Sequence, residues 1–247
     1  MYSETIPVEI GYCLTDAEGG FAFQPPRSVF SERDKPLGTR AIQNCPAVHS
    51  LERHLVEMPS PIGIRLRMDA TPQGPNLKIE QMGTFVQEDK IREMLIVEPP
   101  QRWRHPRKPV IQIRLPFFFV TDEPAWVSQV PPFLGNSMRR WPGLMVAGRY
   151  PVTLWPQNLT WAFEWDKPGE ELVLKQGEPL CYFLFEFGNP NKRPKLVEAA
   201  LTPELDEWRR GMEGLHHLTP EIEGIWQSAK DRRPAKLMTP QDAADAG

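Results

Sequence analysis

Between residues 110 and 187 five apolar runs follow one another: Val110 to Leu115, Met145 to Gly148, Leu159 to Trp165, Glu171 to Leu174 and Leu180 to Phe185, with β-branched and aromatic residues dominating. Asp166-Lys167-Pro168-Gly169 and Lys175-Gln176-Gly177-Glu178-Pro179 act as turns between them, and no interval reads as a helix. A parallel pair needs a crossover of a dozen or more residues, usually helical, so these runs are expected to pair antiparallel. The fold class that follows is mainly β: an antiparallel β-sandwich or jelly-roll-like domain.

The flanking segments fit around that core. Ile62, Ile64, Leu66 and Met68 alternate with Gly63, Arg65 and Arg67, the period-2 signature of a half-buried strand. A second strand follows over Leu77, Ile79 and Gln81, after the turn-rich stretch from Thr71 to Asn76. Phe85 to Val97 reads as strand, loop and strand, and Pro46 and Pro59 bracket room for one short helix. Thr202-Pro203-Glu204 opens an amphipathic helix with Leu205, Trp208, Met212 and Leu215 on one face. Thr219-Pro220-Glu221 opens a second, with Ile222, Ile225, Trp226 and Ala229. The expected organisation is a β-rich domain over 1–195 with a loop-rich lead-in, two C-terminal α-helices over 196–233 packed on it, and a disordered tail over 234–247.

Composition excludes more than it assigns. The 247 residues carry 29 Lys+Arg against 32 Asp+Glu, a formal charge of −3, which argues against nucleic acid and anionic membranes as partners. Pro reaches 28 residues, roughly twice average usage, so regular elements are short and often interrupted. No apolar run approaches the ~20 residues that span a bilayer. Residues 1–20 contain Glu4, Glu9, Asp16 and Glu18 and lack a signal-peptide pattern, and the three cysteines include no CxxC pair. Both point to a reduced, cytoplasmic setting.

Walker, G-x-G-x-x-G, G-x-S-x-G and H-E-x-x-H motifs are absent from the sequence. What stands out is tryptophan beside arginine. Trp161, Phe163 and Trp165 share one strand face and belong to the core, as does Cys181. Trp126, Arg139, Arg140, Trp141 and Arg149 flank a long Pro- and Gly-rich excursion, and such loops on a rigid sheet tend to carry function. The three arginines would hold an anion while Trp126 or Trp141 stacks, which describes a module binding a small molecule or a protein partner. Arg102, Trp103, Arg104, Arg107 and Lys108 form a basic stretch that would suit phosphates or simply face solvent. An enzyme alternative is a non-haem iron oxygenase with the metal on His49, His54 and a carboxylate such as Glu52 or Glu57, following the two-His-one-carboxylate logic. A third is a homo-oligomeric structural subunit associating through exposed aromatics and strand edges.

Trp141-Pro142-Gly143-Leu144, Trp161-Ala162-Phe163-Glu164-Trp165, Lys167-Pro168-Gly169 and Gly177-Glu178-Pro179-Leu180-Cys181 together resemble an uncharacterised bacterial and phage β-rich domain family of unknown function, over residues 141–185. That resemblance implies an intracellular β-rich domain and transfers no catalytic residue. Leu174 to Phe185 is also similar to the closing strands of β-clip nucleotide hydrolases and deaminases, but the acidic and Ser/Gly-rich motifs of that family are not present.

Overall fold

The computed structural model describes residues 5–15, 23–29, 45–71, 74–83, 86–134, 141–214 and 221–241. Alternating burial along the strands, with one face inward, assembles them into four sheets. The largest has five antiparallel strands in the order β11 (Gly148–Pro151), β9 (Ala125–Val130), β14 (Pro179–Phe187), β3 (Leu55–Pro59) and β2 (Arg27–Ser28). A four-stranded antiparallel sheet runs β10 (Gly143–Met145), β12 (Thr160–Trp165), β7 (Val110–Arg114) and β6 (Leu95–Val97). A third antiparallel sheet joins β13 (Glu171–Leu174), β4 (Ile64–Thr71) and β5 (Gly74–Gln81).

The fourth sheet is mixed. β15 (Lys192–Ala199) runs parallel to β1 (Ile6–Leu14), and β8 (Phe117–Val120) pairs antiparallel on the other side of β1. Gly11 of β1 is needed at this crossing, because a Cβ there would sit 2.6 Å from the Ala199 Cβ and 2.8 Å from Val120 Cγ2.

The expected mainly β, sandwich-like class stands. Its larger apolar cluster draws on every sheet, with Trp161, Phe163 and Trp165 of β12, Val127 of β9 and Phe183 of β14 fully buried, and a second cluster forms around Cys13, Phe118, Leu205 and Trp208. The Phe119 ring of β8 meets those of Phe183 and Phe185 edge-on at 5.0 and 5.2 Å. Burying a side chain of this size contributes roughly 3 kcal/mol. One buried polar link crosses between the two larger sheets: Gln129 Nε2 on β9 donates to the Thr160 carbonyl on β12 at 3.1 Å.

Four α-helices lie among the described residues: α1 (Pro46–Glu52), α2 (Glu88–Met94), α3 (Pro203–Met212) and α4 (Ile222–Arg232). Thr202 caps α3 as its sequence pattern requires, its hydroxyl accepting from the Leu205 amide at 3.3 Å. The expected strand near Phe85 to Val97 is corrected. That segment forms α2 and only the short β6, because Ile91 and Met94, three apart, give a buried helical stripe.

Two further expectations change at the C-terminal side. The boundary at residue 195 falls inside β15, where Pro194 is tolerated because β15 is an edge strand. The expected disordered tail is docked as far as Gln241. Leu237 and Met238 are buried against Cys13, Phe118, Leu205 and Trp208, the Leu237 amide donates to Asp122 Oδ1 at 2.7 Å, and the Ala200 amide donates to the Thr239 carbonyl at 2.8 Å. Residues 242–247 lie outside the described residues. No helix among the described residues is long and apolar enough to cross a membrane.

Candidate functional site

Period-2 alternation on β9 turns Ala125, Val127 and Gln129 inward and leaves Trp126, Ser128 and Val130 on the outer face. Trp126 is flanked by β11 on one side and β14 on the other, where Glu186 stands directly opposite it in register. Arg149 of β11 pairs with Ser128, two residues further along and on the same face. Its guanidinium crosses the Trp126 ring, 4.4 Å from the ring centre, and its Nε reaches Glu186 Oε2 at 3.0 Å. A row across three strands is thus tied together on the sheet's outer face. Trp226 of α4 closes the row edge-on, with its ring centre 5.5 Å from that of Trp126.

The result is an open groove of about 570 Å³ whose walls also include Pro151, Leu154 and Phe187. That volume lies within the range of small-molecule sites. Both members of the Arg149–Glu186 pair are about half exposed, so the pair contributes under about 1 kcal/mol, and stacking on Trp126 adds a similar amount. Glu186 meets the Arg149 charge within the protein. What the groove offers a ligand is therefore aromatic and aliphatic surface with a polar bridge along one side.

Of the residues singled out from sequence, Trp126 and Arg149 come together. Trp141 does not join them: it is buried in the core, edge-on to Trp161 at 5.6 Å and Phe163 at 6.0 Å, and offers no stacking face. Arg139 and Arg140 lie outside the described residues. Trp226 and Glu186 complete the groove and were missed as site residues. Trp226 reads in sequence as one more apolar position of an amphipathic helix, and Glu186 is a lone acid near the end of an apolar strand.

The histidines do not build the expected metal set. His49 lies on α1, and His54 follows it with Nδ1 3.0 Å from the Phe185 carbonyl, which occupies that nitrogen. Among the described residues no three His, Cys, Asp or Glu side chains come together as a group that could hold a metal ion. His216 and His217 lie outside those residues.

The basic stretch is folded back onto carboxylates in and beside the four-stranded sheet: Arg102 on Glu98, Arg104 on Glu164 and Lys108 on Asp166. Trp103 Nε1 donates to the Glu98 carbonyl at 2.8 Å, which fixes the indole. Three of its cations are thereby neutralised, consistent with the acidic total and with the solvent-facing reading of this segment.

Fold and groove together define a class: a mainly antiparallel β-sandwich protein with two C-terminal helices and an aromatic groove where the second helix meets the larger sheet. No family model matches the chain, and no curated protein or solved structure is significantly similar to it.

Proposed function

We propose that this protein is a binding module whose groove at Trp126, Arg149 and Trp226 receives a planar or apolar group of a small molecule or partner. The observation that carries the reading is convergence. Trp126, Arg149, Glu186 and Trp226 come from four separate elements, yet they meet around one groove of ligand size. Trp226 Nε1 is shielded from solvent without a hydrogen-bond partner in the described structure, and a bound acceptor would satisfy it after a small ring movement. Aromatic walls beside a fixed guanidinium favour flat ligands through stacking.

The test is fluorine NMR of protein labelled with 5-fluorotryptophan, titrated with indole and N-acetyltryptophanamide. The resonances assigned by Trp126→Phe and Trp226→Phe are expected to shift together and saturate, while those of buried Trp161 and Trp165 stay in place. Trp126→Ala is expected to abolish saturation. Uniform shifts over all eight tryptophans, or none at the two groove rings, would count against the reading.

A further inference from the structure

A second cleft lies beside the groove, sharing Leu154 as a wall and lined by Ile225 of α4 where the groove is lined by Trp226, and differs from it in chemistry. It opens between the outer face of the four-stranded sheet and the C-terminal helices, with a volume of about 750 Å³. Alternation on β7 buries Ile111 and Ile113 and leaves Gln112 and Arg114 on the outer face, where they line the cleft floor. Trp155, Met212 and Ile225 supply apolar wall, and the helix side adds Arg209 and Glu213.

The polar groups of this cleft are unequal. Glu98 is anchored at its base, with its side chain only 7% exposed. Its Oε1 accepts from Gln112 Nε2 at 2.9 Å, and its Oε2 accepts from Arg102 Nη1 at 3.3 Å. Arg209 is fully committed, bonded through Nε and Nη2 to Asp206 and through Nη1 to Glu213. Arg114 is exposed at the end of β7 and has no ion pair among the described residues. It is the cation in this cleft whose charge is unspent. A guanidinium presents a rigid fork of donors matched to carboxylate and phosphate oxygens.

We infer that this cleft binds a small organic anion, its phosphate or carboxylate clamped by Arg114, its hydroxyl or amine donors read by Glu98 and Gln112, and its apolar part against Trp155. A deep carboxylate held in place by its own amide and guanidinium partners has lone pairs left to accept from a ligand, and one carboxylate oxygen can take more than one donor. The anion is recognised at the cleft mouth by Arg114, and the donor-bearing part is recognised below it. This ligand is distinct from the one proposed for the Trp126 groove, since apart from Leu154 the two sites have different lining residues.

Isothermal titration with the full chain tests it, using glucose 6-phosphate, glucose as its neutral counterpart, and citrate as the carboxylate arm. At least one of the two anions is expected to bind saturably while glucose does not, and the anion that binds tells phosphate from carboxylate. Arg114→Gln is expected to weaken that binding 10- to 100-fold with the melting temperature unchanged, since the Arg114 side chain makes no hydrogen bond or ion pair among the described residues. Arg107→Gln, an exposed arginine outside the cleft, and Trp126→Ala, in the groove, should both bind as wild type. If neither anion binds saturably below millimolar concentration, or if Arg114→Gln and Arg107→Gln lose equally, the inference is overturned. Loss in Trp126→Ala alone would assign the binding to the groove instead.

Discussion

Arg104 and Glu164 form a two-bond fork at β12, an inner strand of the four-stranded sheet: Nε lies 3.0 Å from Oε2 and Nη2 lies 2.9 Å from Oε1. The two ends differ in environment, because the Glu164 side chain is 4% exposed on β12 while that of Arg104 is 68% exposed. A buried carboxylate without a partner is strongly destabilising, so the outer residue secures the inner one. The melting temperature is expected to fall in the order wild type, Arg104→Lys, Arg104→Ala. Lysine keeps the charge but cannot supply the parallel pair of bonds. The double change Arg104→Ala with Glu164→Leu should recover most of the loss, because no buried charge is then left. Differential scanning calorimetry at pH 7 reads all four proteins, and equal melting temperatures for Arg104→Ala and wild type would remove the argument.

His54 makes stability depend on pH. Burial pushes its ring below the ordinary value of 6.5, and the neighbouring Arg193 guanidinium adds to the shift, while the Phe185 carbonyl and the Glu186 carboxylate pull the other way. The folded state therefore prefers the neutral ring. Below pH 6.5 the unfolded chain takes up a proton that the folded chain refuses, so the His54 contribution is complete above 6.5 and is lost as pH falls through the lower folded value. Replacing His54 by Gln keeps a donor for the Phe185 carbonyl and removes the titration. Thermal unfolding from pH 8 to pH 5 should show the wild type losing ground against His54→Gln only below about 6.5. A constant difference over that range would show that His54 does not couple to folding.

Strand periodicity was legible in the sequence, and side-chain meetings across sheets were not. Ile62, Ile64, Leu66 and Met68 alternate in sequence and are all fully buried, and the same holds for Trp161, Phe163 and Trp165. Period 2 is local, so it can be read locally. Trp126 could be placed on the site side because its neighbours form a long Pro-rich excursion, but its partners Glu186 and Trp226 lie 60 and 100 residues away, and only the fold brings them near. Trp141 misled because proximity in sequence to Arg139 and Arg140 says nothing of which way a ring turns; Trp161 and Phe163 hold it inside. The short α2 was lost for a related reason, since seven residues give barely two turns of helical period.

The three thiols should differ sharply in reactivity. Cys13 and Cys181 are fully buried, and burial pushes each thiol up to about 12, whereas Cys45 is exposed at the start of α1. The thiolate is the reactive form, so the buried pair should be inert at neutral pH. Ellman's reagent at pH 8 is expected to label one cysteine in the native protein and three after denaturation. Cys45→Ser should abolish the native signal. Rapid labelling of a second thiol in Cys45→Ser would mean that one of the two cores opens readily.

The segment after α4 is a structural strap. Leu237 is 2% exposed within the second apolar cluster, beside Leu205 and Trp208 of α3, and its amide is held by Asp122 from the loop after β8. Ala199 and Pro240 form a β-bridge that ties the strap to β15. Removing buried Leu atoms leaves a cavity, so Leu237→Ala should cost about 2–4 kcal/mol and lower the melting temperature by roughly 5–10 °C in a chain of this size. Asp122→Ala removes one hydrogen bond to a buried amide and should cost about 1 kcal/mol. Limited proteolysis gives an independent reading. Lys236 is exposed, but the peptide bond after it leads directly into the held Leu237 amide, so trypsin should spare that bond in the wild type and cut it early in Leu237→Ala. Cleavage after Lys236 at equal rates in both proteins would show that the strap contributes no stability to the core it covers.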